Sequence, residues 1–298
     1  MSVMLFKHVS ELVEQAEKLD VPISELMIRQ EVEETGKPRE EIFAQMGHNL
    51  DIMEKSVHDG LEGVKSRSGL TGGDAVLIQK YMAEQETLSG NLLLDVVSKA
   101  VATNEVNAAM GTICATPTAG SAGCVPGVLF GLKPRLNPTR EQMVRFLFTS
   151  GAFGQVVANN ASISGAAGGC QAEVGSAAGM ASAAAVEMAG GTPQQSAEAM
   201  SITLKNMLGL VCDPVAGLVE VPCVKRNAMG SSQAIVSADL ALAGVTSTIP
   251  TDEVIGAMFR IGESMSPALK ETAEGGLAAT PTGRELAKKV FGPAMGSE

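Results

Sequence analysis

Apolar residues at Leu5, Val9, Leu12, Val13, Ala16 and Leu19 recur every three or four positions with polar residues between them. That period lays one apolar stripe along a helix and predicts an amphipathic helix over 5–19. Pro22 stands near the start of a second helix, and Gly36-Lys37-Pro38 stops it. Ile42, Met46, Met53 and Val57 mark a third helix that is polar on its other face. Residues 60–73 are rich in glycine and charge, so this stretch is the candidate for a mobile loop or a subdomain boundary. Helical period returns from Ala75 to about Met110. Thr139-Arg-Glu-Gln142 and Thr192-Pro-Gln-Gln195 both carry the capping-box pattern, the second with proline at the first helical position, and predict helices after them. No run alternates as a strand does and no fixed period repeats, so the expected fold is all-α.

From Ser164 to Gly191 nearly every residue is small. Glycine weakens a helix by up to about 1 kcal/mol relative to alanine. Such density therefore implies close backbone approach, either helix against helix or backbone against a ligand. The apolar part, Ser176 to Gly191, is shorter than the roughly 20 residues of a membrane span and includes Glu187, which predicts a buried helix.

Composition narrows the class. The chain of 298 residues is 45% hydrophobic and 18% charged, which excludes disorder. That length accommodates one large domain over 1–298, or a core with residues 1–60 as a helical appendage. Only 3% of residues are aromatic, so the core must be built from aliphatic side chains and 16 methionines packed around 33 glycines. A formal net charge of −11 opposes nucleic-acid binding. The apolar run Val3 to Phe6 is too short for a signal peptide, and five cysteines are an odd number for a secreted disulfide scaffold. These features give the expectation of a soluble, cytoplasmic protein.

Three segments combine turn residues, glycine, proline and cysteine. They are Ala115-Thr-Pro-Thr-Ala-Gly-Ser-Ala-Gly-Cys-Val-Pro-Gly127, Asn159 to Gly175, and Cys212 to Asn227. Cys170, Cys212 and Cys223 have 41 and then 10 residues between them. This is neither the paired spacing of a structural zinc site nor a ferredoxin run. Buried cysteines also commonly act as small hydrophobes, so spacing leaves both roles open.

The wording NASISGAAGGCQAEVG, then CDPVAGLVEVPCVKRNA, then GGLA from Gly275 resembles the alpha chain of iron–sulfur-dependent L-serine dehydratases. The similarity runs from Val21-Pro-Ile-Ser-Glu-Leu-Met-Ile28 to Ala278 and is strongest between 115 and 230. The resemblance implies an all-helical catalytic domain in which Cys170, Cys212 and Cys223 hold a [4Fe–4S] cluster. It implies conversion of L-serine to pyruvate and ammonia, and a smaller beta chain as partner, which other members carry fused. Serine catabolism and gluconeogenesis are the physiological settings that such a lyase would serve.

Three thiolates on four irons leave one iron open, which is what a Lewis acid acting on the leaving hydroxyl requires. Thr116, Thr118, Ser121, Ser162 and Ser164 are the short hydroxyl donors of the motif loops, and we assign them to the substrate carboxylate. The bland role for each is turn formation or capping. Asn159 and Asn160 are weaker candidates for holding the loop or the amino group. The base that removes the Cα proton is not identified: His8, His48, His58, Glu173, Lys205 and a group of the partner chain remain open. Cys114 and Cys124 have small or apolar neighbours and read as packing residues.

Other readings compete. A pyridoxal-phosphate dehydratase needs a Schiff-base lysine, but Lys99, Lys133, Lys205 and Lys225 have no α/β pattern around them. A cysteine desulfidase would use the same cluster on another small amino acid. A non-catalytic helical assembly subunit would use the small-residue stretch as an interface.

Overall fold

A computed structural model describes residues 6–292; Leu5 of the first expected helix and residues 3–5 of the N-terminal apolar run lie outside them. In chain order the α-helices are α1 (Val9–Leu19), α2 (Ile23–Thr35), α3 (Arg39–Glu62), α4 (Asp74–Glu84) and α5 (Asn91–Ala108). Then come α6 (Cys124–Leu136), α7 (Arg140–Asn160), the single turn α8 (Gly165–Gly168) and α9 (Ser176–Met188). The last four are α10 (Pro193–Met207), α11 (Cys223–Leu242), α12 (Thr251–Ser264) and α13 (Pro281–Phe291). No strand occurs among the described residues, so the all-α expectation holds; one isolated bridge joins Cys212 to Lys270.

The expected punctuation is present. Pro22 precedes α2, and Gly36 closes it at φ 69°, a left-handed position that favours glycine. Thr139 and Thr192 both accept from the N–H three residues on at 3.2 Å, while Gln142 and Gln195 take the N–H of the threonine in return. The stretch 75–110 is two helices rather than one, because residues 85–90 break it and Gly90 enters α5 at φ 79°.

The small-residue stretch supplies the centre of the molecule. Helix α9 is packed by α6, α7, α10 and α11, and Ser176 to Val186 are all buried. Gly179 lets Met200 approach, and Gly230 of α11 lets Ala178 and Val174 approach. Glu187 near its end is half-buried and partnered, accepting from Thr149 Oγ1 at 2.8 Å and from Ser24 N at 3.3 Å. Among the described residues no helix is long and apolar enough to cross a membrane. Buried residues of α1, α2 and α3, such as Leu12, Leu26 and Leu50, join the same apolar cluster as those of α7, α9 and α10. Glu25 adds a polar tie, taking two bonds from Arg39 at 2.8 and 2.7 Å and one from Arg145 at 3.3 Å.

The glycine-rich segment 63–73 differs from the mobile loop or boundary its composition suggests. Ser66 N donates to Thr71 O at 3.0 Å, and both residues are buried. Ser68 Oγ donates to the Glu220 carboxylate at 2.7 Å, fastening the segment to the chain just before Cys223. Glycine is needed at Gly72 because φ is 132° and a Cβ would run into the Val64 carbonyl. Here glycine serves close packing rather than motion.

Candidate metal centre

Each of the three cysteines sits on a different kind of backbone. Cys170 follows α8 and opens a π-helical turn, Gln171–Gly175, whose first N–H donates to Leu210 O at 2.9 Å. Cys212 lies after α10 in extended chain, donating its N–H to Leu269 O at 2.9 Å and accepting from Glu271 N at 2.8 Å. Cys223 is the first residue of α11. All three are free and buried.

The fold brings Cys170, Glu173 and Cys212 together, with one ligand atom of each within 4.8 Å of the others. Cys223 lies outside that tight trio but within electrostatic reach of Cys170 and Glu173. The Cys212 thiol hydrogen-bonds Cys170 and favours its thiolate against burial, and the Arg226 charge adds to this, so the Cys170 pKa falls below the ordinary thiol value. Cys212 itself is pushed up, first by that hydrogen bond and then by burial; burial likewise raises Cys223. Burial raises the Glu173 pKa, opposed by the Thr118 hydrogen bond and reinforced by the negative charge of Glu271.

Glycines leave the space this group needs. A Cβ on Gly165 would lie 2.6 Å from Glu173 Oε2, 2.9 Å from Cys212 Sγ and 3.3 Å from Glu271 Oε2. A Cβ on Gly120 would collide with Glu173 Oε1. Backbone against this cluster of thiols and carboxylates is thus one use of the small residues, and helix against helix in α9 is the other.

The five hydroxyl residues divide by position. Thr118 Oγ1 donates to Glu173 Oε1 at 2.5 Å and lies 3.1 Å from Ser121 Oγ, which places these two beside the trio. Ser121 is fully buried and also donates to Thr116 O at 3.1 Å, so it helps to close its own loop. Thr116 Oγ1 reaches Ala122 O at 3.5 Å. Ser162 Oγ accepts from Ser164 N at 3.1 Å, and Ser164 precedes α8 and hence Gly165. Ser162 also lines a small cavity of about 40 Å³ with Ala172, Phe259 and Glu263. Asn160 is committed elsewhere, donating to Lys7 O at 2.7 Å and Val156 O at 2.8 Å.

Of the five base candidates in this chain, Glu173 alone sits among the thiols. His8 precedes α1, His48 lines an open cleft of about 440 Å³ with Phe43 and Arg140, and His58 is exposed beside Glu62. Lys205 Nζ donates to Ser247 O at 2.5 Å. Cys114 Sγ reaches Asn49 O and Cys124 Sγ reaches Asn227 Oδ1, each at 3.5 Å, so both are held by contacts of their own. Cys124 also packs directly behind Cys170 and Cys212 in one buried cluster.

Three further charged side chains, beyond the candidates of the sequence, border the thiols. Arg226 donates to Cys170 Sγ at 3.6 Å and Val211 O at 2.8 Å, and pairs with Asp213 at 2.8 Å. Asp213 Oδ2 in turn accepts from Leu277 N at 2.7 Å. Gly276, at φ 57°, must lack a side chain because a Cβ would strike Asp213, and a Cβ on Gly275 would strike the Ala268 carbonyl, which together explain the glycines of the GGLA motif. Glu271 sits at φ 64°, rare for a residue with a side chain, and turns its carboxylate toward Gly165 and Glu173. Arg226 and Asp213 lay inside a quoted motif as charges next to cysteines; Glu271 had no sequence signal.

Two buried thiols and a carboxylate this close together, in an all-helical frame, form a donor set that could hold a soft metal ion. The sequence profile described as serine dehydratase alpha chain matches residues 18–278. The probable L-serine dehydratase alpha chain of Bacillus subtilis (strain 168) is 72% identical, over 98% of this chain and 98% of that one. The L-serine dehydratase alpha chain of Peptoniphilus asaccharolyticus is 42% identical over 93% of this chain and 95% of that one. The L-serine dehydratase TdcG of Escherichia coli (strain K12) is 34% identical over 92% of this chain, which spans 61% of that longer protein. The chain belongs to the serine dehydratase alpha chain family.

Proposed function

We propose that this chain is the catalytic alpha chain of an iron–sulfur L-serine dehydratase, with residues 1–298 forming its catalytic domain. The observation that carries the reading is the convergence of buried, free Cys170 and Cys212 with Glu173 and the Thr118 hydroxyl, with Cys223 close by. The names of the relatives supply the reaction. The donor set fits a [4Fe–4S] cluster: three thiols free of other covalent bonds, one of them with its pKa lowered by the Cys212 hydrogen bond, beside glycines that leave room. Cys170, Cys212 and Cys223 would hold it, and when bound it supplies an open iron as Lewis acid for the leaving hydroxyl.

The chain's own residues do the rest. Thr118, Ser121 and Thr116, with Ser162 and Ser164 across the site, offer hydroxyls to the substrate carboxylate. Glu173 is the residue of this chain placed to exchange a proton with a substrate held there. Loss of the Cα proton and the Cβ hydroxyl turns serine into aminoacrylate and water. Aminoacrylate tautomerises to an imine, and water hydrolyses that to pyruvate and ammonia.

The alpha-chain names of the full-length relatives, and the extra length of the Escherichia coli protein, support a beta chain as partner. A need for reduced thiols supports the cytoplasm as compartment. The test is anaerobic purification with the beta chain, reconstitution with iron and sulfide, and an assay of pyruvate from L-serine. Iron and pyruvate are both expected, and both are lost in Cys170→Ala, Cys212→Ala and Cys223→Ala. Full activity without iron sinks the reading. Sulfide release from L-cysteine without serine turnover moves it to a cysteine desulfidase, and a colourless protein purified without air leaves an assembly subunit.

A further inference from the structure

Two asparagines far apart in sequence meet at one carbonyl beneath the hydroxyl loop. Asn104 of α5 donates Nδ2 to Gly120 O at 3.0 Å, and Asn227 of α11 donates Nδ2 to the same oxygen at 2.7 Å. Both side chains are fully buried. Asn227 Nδ2 also reaches Cys223 O at 3.0 Å, one helical turn back, while its Oδ1 accepts from Gly123 N at 3.1 Å. One amide therefore touches the backbone of Cys223 and both ends of the segment 120–123. On its other side that segment meets the site, since Gly120 abuts the Glu173 carboxylate and Thr118 donates to it.

We infer that Asn227, with Asn104 beside it, is the positioning residue that fixes the hydroxyl loop 116–123 against the cysteine site and so sets the affinity for the substrate carboxylate. This rests on the reading of that loop as the carboxylate-binding segment. A carbonyl oxygen has two lone pairs, and here both are taken by buried amides. The helices themselves do not depend on these bonds. Val101 and Ala102 of α5 already pack with Val224 of α11 in an apolar cluster. Asn104 Oδ1 has no hydrogen-bond partner, although it is buried. An apolar side chain of the same size would avoid that desolvation penalty, so stability does not account for an amide here. Placing Gly120 does. Asn227 Oδ1 also accepts from the Cys124 thiol at 3.5 Å, but neither asparagine side chain hydrogen-bonds Cys170, Cys212, Cys223 Sγ or the Glu173 carboxylate, which makes the role one of position rather than chemistry.

The experiment uses the reconstituted holoprotein with its beta chain and two variants. Asn104→Leu removes one bond to Gly120 O and nothing else. Asn227→Asp keeps the acceptor for Gly123 N but faces Gly120 O with an oxygen. In both, KM for L-serine is expected to rise about tenfold while kcat stays within about threefold. Iron per chain is expected to match the parent, and the thermal midpoint of Asn104→Leu is expected not to fall. Hydrogen–deuterium exchange provides a readout that does not require turnover: residues 116–123 lose protection while α5 and α11 keep theirs. Unchanged KM with unchanged protection overturns the inference. A parent protein that binds iron but never turns over serine sinks the proposed function, while the exchange result still decides whether the asparagines hold the loop.

Discussion

Gly165→Ala separates the stability of the fold from the integrity of the site. The residue opens α8 and has no left-handed backbone, so alanine fits its conformation. The added methyl meets only the ends of side chains: Glu173 Oε2 at 2.6 Å, Cys212 Sγ at 2.9 Å and Glu271 Oε2 at 3.3 Å. Ends of side chains move at low cost, so overpacking should stay near the low end of its usual range, about 1 kcal/mol. Replacing glycine in a helix returns up to about 1 kcal/mol, less at a first position. The net change is within about 1 kcal/mol, or roughly 2–4 °C in thermal midpoint. The groups forced to move, however, are a thiol proposed to hold iron and two carboxylates beside it. Gly151→Ala, inside α7 with nothing within 4 Å of the new methyl, is the matched control. Scanning calorimetry, iron analysis and pyruvate release are run on both. Gly165→Ala is expected to melt within a few degrees of the parent yet carry less iron and form little pyruvate, whereas Gly151→Ala keeps both. Full iron and parental turnover in Gly165→Ala would refute the placement of the site against α8.

Gly60→Ala is the opposite case. Its methyl would enter the backbone of Ala102, which cannot swing away, so α3 and α5 must part at a cost of about 3 kcal/mol or more, read as a lowered urea midpoint; an unchanged midpoint contradicts the close helix contact. Glu187→Gln tests pH dependence. Burial raises the folded pKa of Glu187 above the unfolded value of about 4.3, so its favourable contribution is complete below that value and is lost as pH rises through the folded pKa. The variant should therefore be the more stable protein at neutral pH and show a flatter stability–pH curve over that window, and parallel curves would count against it. Glu173→Gln keeps an acceptor for Thr118 but cannot exchange a proton, so kcat should fall at least about 10²-fold with iron content retained. Parental kcat would rule out Glu173 as the base, and loss of iron would make Glu173 a ligand.

What the sequence revealed follows from the range of the physics involved. Helix periodicity, proline and glycine stops and the two threonine capping boxes are local, and each appears where its residues stand. Glycine at 60–73 misled because composition does not say whether a missing side chain serves motion or contact. Only the fold reveals that Gly72 abuts the Val64 carbonyl and that Ser68 is tied to Glu220. The apolar period through 75–110 also does not locate its break at residues 85–90, because α4 buries only Ala75 and its exposed apolar residues read like those of a buried helix.

The cysteines show the same limit from the other side. Spacing of 41 and 10 residues cannot bring Cys170 and Cys212 together. That takes the α8 turn, the Gln171 N–H on Leu210 O, and the C-terminal chain holding Cys212 from Leu269 and Glu271. The distant GGLA motif belongs to this same assembly. Its Leu277 N–H holds Asp213, Asp213 pairs with Arg226, and Arg226 points at the Cys170 sulfur. A charge near a thiol matters most at short range in a site of low dielectric, and here Asp213 is admitted by Gly276, which lacks a Cβ and stands more than sixty residues downstream. The C-terminal segment is therefore part of the cysteine site, through the residues that position Cys212 and Arg226.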